Sequence, residues 1–153
     1  MAGETLPVAG GYYPPVGFHF KVEFEGISSN NESRFQSVTG LNVEYDVEAI
    51  REGGENRFEH KLPVRTRYPD LSLKRGMLVG SELINWCLDA FQNRVFHPKT
   101  ILVKLLNEKH EPLKTWKIVN AWPKRWSVSD FNAQENSIVV ETLDINYSFF
   151  TIQ

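Results

Sequence analysis

Residues 38–76, VTGLNVEYDVEAIREGGENRFEHKLPVRTRYPDLSLKRG, hold a β-hairpin that is long for the domain carrying it. From 41 to 50 the side chains alternate. Val43, Tyr45, Val47 and Ala49 fall on one face and Glu44, Asp46 and Glu48 on the other, and a period of two is the signature of a strand. The run stops at Glu52-Gly53-Gly54-Glu55-Asn56, where glycine supplies the positive φ that a reversing chain needs. A second strand then runs over 57–64. A reversal symmetric about Gly53 and Gly54 sets Ala49 against Phe58, Val47 against His60, Tyr45 against Leu62 and Val43 against Val64. Asp46 then faces Lys61 on the opposite surface, so one face is apolar and the other charged. Arms of eight residues extend about 26 Å at ~3.3 Å per residue. A two-stranded ribbon is marginal alone, and its edges offer unpaired N–H and C=O groups. Those edges pair either with strands of the same chain, as in a sandwich, or with another subunit. In the second case a donor edge and an acceptor edge at different places generate a ring or an open helix.

A chain of 153 residues suits one domain, over 1–153, that buries about 70% of its unfolded surface. Its net charge is −2, and its cations are scattered, the longest clusters being Lys74-Arg75 and Lys124-Arg125, which are expected to be solvated. That pattern speaks against a nucleic-acid or anionic-membrane surface. The start has neither a basic segment nor an apolar core, and no run approaches the ~18 apolar residues of a membrane span, so synthesis in the cytoplasm is expected. Cys87 is the only cysteine, which excludes an internal disulfide and a multi-cysteine metal site.

Residues 1–17 lack periodicity and read as an arm or loop. Phe18, Phe20, Val22 and Phe24 alternate with polar neighbours, predicting a strand with one buried face. A Ser- and Asn-rich loop at 28–33 and a strand at 34–38 precede the hairpin. Residues 71–74 form a short strand leading to Gly76. Over 81–95, Leu83, Ile84, Cys87, Leu88, Phe91 and Val95 recur at helical spacing, with Ser81 as N-cap and Glu82 in the first turn. Trp86 falls outside that stripe and is a candidate subunit contact. Strands at 100–107 and 113–121 flank a polar turn, and a last strand covers 143–149. Seven or eight strands and one helix predict a mainly β fold, with packed antiparallel sheets as a sandwich or small barrel.

No catalytic, cofactor or metal constellation emerges. Glu44, Asp46 and Glu48 lie ~7 Å apart on alternate positions and do not converge on one ion. His19, His60, His97 and His110 are far apart in sequence and lack metal-ligand spacing. Gly53-Gly54 is not followed by Lys-Ser or Lys-Thr and precedes a strand, so it is a turn and not a phosphate cradle. Trp116, Trp122 and Trp126 are either packing residues or an aromatic ligand platform.

Val38-Thr39-Gly40-Leu41, Glu44-Tyr45-Asp46-Val47, Arg51-Glu52-Gly53-Gly54-Glu55-Asn56, His60-Lys61-Leu62-Pro63 and Leu73-Lys74-Arg75-Gly76 resemble the tail tube family of contractile injection systems. Asn120-Ala121-Trp122-Pro123-Lys124-Arg125-Trp126, Ser129-Asp130-Phe131-Asn132-Ala133, Asn136-Ser137-Ile138 and Glu141-Thr142-Leu143 resemble its C-terminal signature. The resemblance spans about residues 18–149. It implies a non-enzymatic structural subunit, without cofactor, whose hexameric rings stack into a tube inside a sheath, a fold shared with the haemolysin-coregulated protein. It also implies a baseplate hub or spike, a tape-measure protein, and cargo in the lumen. On this reading Val43, Tyr45, Val47, Gly53, Gly54, Phe58, Leu62 and Val64 carry the intersubunit hairpin. Glu44, Asp46, Glu48 and Lys61 line the lumen, and Lys74, Arg75, Trp86, Asp130 and Asn132 are candidate ring contacts. The protein is then expected in a phage tail or an injection particle, which can be released outside the cell. The alternatives are a baseplate-proximal tube initiator and, from another class, a β-barrel with a small-ligand pocket lined by the three tryptophans.

Overall fold

The computed structural model describes residues 19–27, 34–51, 53–54 and 57–153. The expected arm at 1–17 and loop at 28–33 lie outside the described residues. Nine strands and one helix are described: β1 Phe20–Phe24, β2 Ser37–Thr39, β3 Glu44–Ile50, β4 His60–Arg67, β5 Leu71–Gly76, α1 Glu82–Gln92, β6 Lys99–Leu106, β7 Pro112–Val128, β8 Val140–Asn146 and β9 Phe149–Ile152. The fold is mainly β, with packed antiparallel sheets and one helix.

One path of hydrogen-bonded strands runs β1-β6-β7-β8-β5-β2, with β9 also on β7. Strand β7 joins its two parts. Its first half pairs with β6 and, over residues 116–119, with β9, while residues 122–128 pair with β8. The change of partner coincides with Asn120 at φ 55° and a register shift between Pro123 and Arg125. Pro123 is tolerated within the strand because it sits at this irregularity.

Alternation decides what is inside. Val22 and Phe24 of β1, Leu71 and Leu73 of β5, Ile101 and Val103 of β6, Ile118 of β7, and Leu143 and Ile145 of β8 turn inward to one core. Helix α1 closes it with Leu83, Trp86 and Cys87. Ser81 caps the helix, its Oγ accepting from Ile84 N at 3.4 Å, with Glu82 in the first turn. After the C-cap Asn93, Arg94 adopts φ 56° and Val95 N donates to Asp89 O at 3.0 Å. The helix therefore ends at Gln92, and Phe91 and Val95, expected on its buried stripe, are exposed. Trp86 is the converse. It is buried against Phe24, and its Nε1 donates to His97 O at 2.7 Å. The segment after the helix folds back over the indole, so Trp86 is a core residue and not a subunit contact.

Strands β3 and β4 form a separate two-stranded sheet. Its register differs from the symmetric expectation. Ile50 pairs with His60, Ala49 with Lys61, Glu48 with Leu62 and Val47 with Pro63; after a bulge, Tyr45 pairs with Thr66 and Glu44 with Arg67. The pairing is centred on position 55 rather than between the two glycines. The reversal is longer than a tight Gly-Gly turn, and Arg51 Nε donates to Glu59 Oε1 at 2.9 Å across it. Of the two glycines, Gly54 takes the positive φ, 97°. Because the slip is an odd number of residues it exchanges faces. Lys61 joins the side of Val47 and Ala49, and Leu62 joins that of Glu48. Neither face is purely apolar or purely charged.

Candidate assembly surface

Every residue of β4 is exposed, as is every residue of β3 except the half-buried Asp46. Val43, Tyr45, Val47, Phe58, Leu62 and Val64 are each about half or more open to solvent. The hairpin's apolar side chains therefore contribute little to the core of their own chain, and no other strand among the described residues pairs with its outer edges. Margins unpaired among the described residues, with apolar groups beside them, suit strand-to-strand association.

The carboxylates expected on a charged wall are in part engaged. Asp46 accepts from Arg67 and lies 3.9 Å from Arg65, while Glu44 lies 3.6 Å from Arg67. The Asp46 hydrogen bond, with its charge and that of Glu44, holds the Arg67 guanidinium above its ordinary value. Asp46 thus pairs with Arg67 and Arg65, not with Lys61, because the register slip sets Lys61 opposite Ala49 and the bulge then brings the arginines of β4 to the side of Asp46.

Other expected contacts divide. Lys74 is exposed, but its neighbour Arg75 is buried, so the pair is not jointly solvated. Arg75 Nε donates to Glu141, its terminal nitrogen donates to Ser81 Oγ at 2.8 Å, and its guanidinium sits 5.3 Å from the Phe35 ring centroid. Asp130 and Asn132 lie exposed on the 129–139 connection, where Asn132 Oδ1 accepts from Gln134 N at 3.0 Å.

The three tryptophans of β7 do not form one platform. Trp116 floors a groove with Phe20 and Val103, Trp122 meets Phe96 edge-on at 5.7 Å, and Trp126 Nε1 donates to Glu141 Oε2 at 3.3 Å. Two histidines remote in sequence do meet: His19 Nε2 and His110 Nδ1 are 2.7 Å apart. Among the described residues no group of three or more His, Cys, Asp or Glu is placed to hold a metal.

Sequence reasoning missed Phe131 as a surface feature, although a phenylalanine in so polar a loop was a visible signal. It also missed the groove over Trp116, which depends on β2 closing against β1, β6 and β7 and has no local motif.

A β-sandwich protomer that holds a two-stranded hairpin clear of its core belongs to the class of β-proteins suited to edge association. The family is shown by the sequence itself. The chain belongs to the T4-like virus tail tube protein gp19 family, whose model matches residues 16–151. In three dimensions it resembles a chain in the cryo-EM structure of the anti-feeding prophage (AFP) baseplate, with a TM-score of 0.83, 27% identity, and 93% of this chain and 97% of that chain covered. It also resembles a chain of the PVC sheath-tube complex, an extracellular contractile injection system in the extended state, with a TM-score of 0.78, 28% identity and 92% of each chain covered. Hcp1 from Flavobacterium johnsoniae shares the fold at a TM-score of 0.52 and 18% identity, over 88% of this chain and 94% of that one. No curated protein matches.

Proposed function

We propose that this chain is an inner-tube subunit of a contractile injection system, forming stacked hexameric rings in which hairpins of neighbouring copies join into a continuous wall. The observation that carries this reading is the β3–β4 sheet, whose apolar groups are exposed and whose outer edges are unpaired among the described residues. Family membership supports it. The partners are other copies of the chain, the sheath, the baseplate hub or spike, a tape-measure protein, and cargo carried in the lumen and expelled on contraction. The site of action is an assembled phage tail or injection particle. Val43, Tyr45, Val47, Phe58 and Val64 act at the subunit boundary, and Glu44, Asp46 and Glu48, with Leu62 on the side of Glu48, face the lumen.

The test is negative-stain electron microscopy with mass photometry on the purified protein. Six-fold rings or hollow tubes are expected. The Val47→Pro variant removes a backbone donor from the hairpin and is expected to stay folded while losing rings. Rings from that variant at the wild-type concentration would remove the hairpin from the account. A second reading, a tube initiator next to the baseplate, is favoured by the likeness to the AFP baseplate chain. Gold labelling of particles separates the two, since an initiator marks one end and a tube subunit the whole length.

A further inference from the structure

We propose that the groove over Trp116 receives the Phe131 side chain of a second copy of this chain, an inference that rests on the assembly reading above.

The groove lies where β2 closes against β1, β6 and β7. It is lined by Phe20, Val38, Leu41, Val103, Leu105 and Trp116, with Gln36 and Ser37 on the β2 side, and holds about 260 Å³. A cavity of ~150 Å³ lined by apolar side chains accommodates benzene, so the space suffices for one phenyl ring. Lys114 stands opposite Leu105, on the face that carries Trp116, and its Nζ is 5.9 Å from the Trp116 ring centroid. The groove is therefore mostly apolar, with Gln36 and Ser37 at the β2 wall and a cation at the Lys114 margin.

Phe131 has the complementary form. It is 79% exposed, between Asp130 and Asn132 on the 129–139 connection. That connection is fixed by its own hydrogen bonds. Ser129 N donates to Val140 O at 2.8 Å, Val140 N to Ser129 Oγ at 2.9 Å, and Glu135 N to Asn132 O at 3.2 Å. A ring held out on a pre-ordered loop loses little conformational freedom on docking. Asp130 is the neighbouring residue and Glu135 is tied to Asn132 on the same connection, so the projection carries negative charge, opposite in sign to Lys114.

The two parts do not belong together within one protomer. The connection leaves β7 at Val128, at the other end of that strand from Trp116 on the groove floor, and the Phe131 ring, 79% exposed, does not fill the groove of its own chain. Projection and receptacle at different places give a head-to-tail contact, which propagates instead of closing as a two-fold dimer. Leu41 of the groove immediately precedes the hairpin, so this contact would continue the hairpin's own.

The test pairs a cross-link with an assembly measurement. The double variant Phe131→Cys/Leu41→Cys is oxidised under assembling conditions beside both single variants; Cys87 is buried and does not interfere. A covalent ladder of trimers and higher forms is expected from the double variant, and at most a dimer from either single one. The Phe131→Ser variant should keep the wild-type Tm and need at least tenfold more protein to form rings or tubes. Wild-type tubes together with no ladder and unchanged assembly of Phe131→Ser would overturn the docking and leave the tube reading standing. Absence of rings or tubes from the wild-type chain would overturn both.

Discussion

Arg75 and Glu141 stand opposite each other on the adjacent antiparallel strands β5 and β8, with 3% and 4% of their side chains exposed. Around them the helix N-cap Ser81, the Trp126 indole and the Phe35 ring supply further partners. The pair fastens the start of α1 to both strands from inside the core.

Removing one partner leaves a buried charge uncompensated, which costs about 3–5 kcal/mol. Arg75→Met and Glu141→Leu are each expected to lower stability by that amount in urea unfolding. The double variant should lose less than the two single losses combined, because the orphaned charge is gone. Full additivity would mean the two residues act independently.

Cys87 is buried, and that burial pushes its thiol up to about 12. Near neutral pH it holds almost no thiolate, the reactive form. Alkylation at pH 8 should follow the opening of the core, accelerating with denaturant in parallel with unfolding. Rapid labelling of the native protein would show that the helix lifts locally.

The Tyr147 hydroxyl is buried and has no hydrogen-bond partner among the described residues. Burial, then Tyr68, then Asp70 push its phenol up to about 12. Tyr147→Phe removes an unsatisfied group and should leave stability equal or raise it by about 1 kcal/mol. A loss beyond 1 kcal/mol in thermal unfolding would reveal a partner for that hydroxyl.

Glu23 bonds Lys21 and Lys104, both at 2.9 Å, and these hydrogen bonds, Lys21 first, hold its carboxyl below the usual value. The folded value lies below the unfolded one, so the stabilisation is complete above the unfolded value and is lost as pH falls through the folded one. Exposure keeps it under about 1 kcal/mol. Glu23→Gln should lower stability by up to about 1 kcal/mol at pH 7 and make little difference in acid, where the carboxylate is protonated, so that the acid side of the stability profile flattens in urea titrations at several pH values.

Gly40 has φ 99°, and a Cβ there would run into the Asp70 carbonyl. Both the angle and the close approach demand glycine. Gly40→Ala is expected to destabilise by more than 1 kcal/mol, since the obstruction is backbone; a neutral result in chemical denaturation would mean this junction can move apart.

Local periodicity made much of the fold legible. The alternation in β1, β5 and β8 and the Ser81 cap are written in adjacent residues, and the core they predict is the one observed. Features set by distant partners were not legible. Arg75 reads as a surface cation until Glu141, sixty-six residues on, comes opposite it. Trp86 reads as exposed until the chain after the helix returns over it. The reversal at Gly53 and Gly54 announces a hairpin but not its register, because a longer loop accommodates more than one pairing. The strand expected over 113–121 runs on to Val128, because β7 changes partner from β6 to β8 and continues past Pro123. The last strand is divided after Asn146 because Ser148 N turns to Val119 O at 3.0 Å, starting β9 on a different partner.

The 17 residues of β7 also settle how the protomer carries mechanical load. The β6 and β9 side and the β8, β5 and β2 side meet through one unbroken backbone. A thrust delivered to either side enters β7 through its hydrogen-bond ladder there, runs along one covalent backbone, and leaves through the ladder on the other side. Shearing the two sides apart would require tearing β7 out of its ladders on at least one of them, so under sudden force the protomer should yield at its boundaries with neighbours before it yields within.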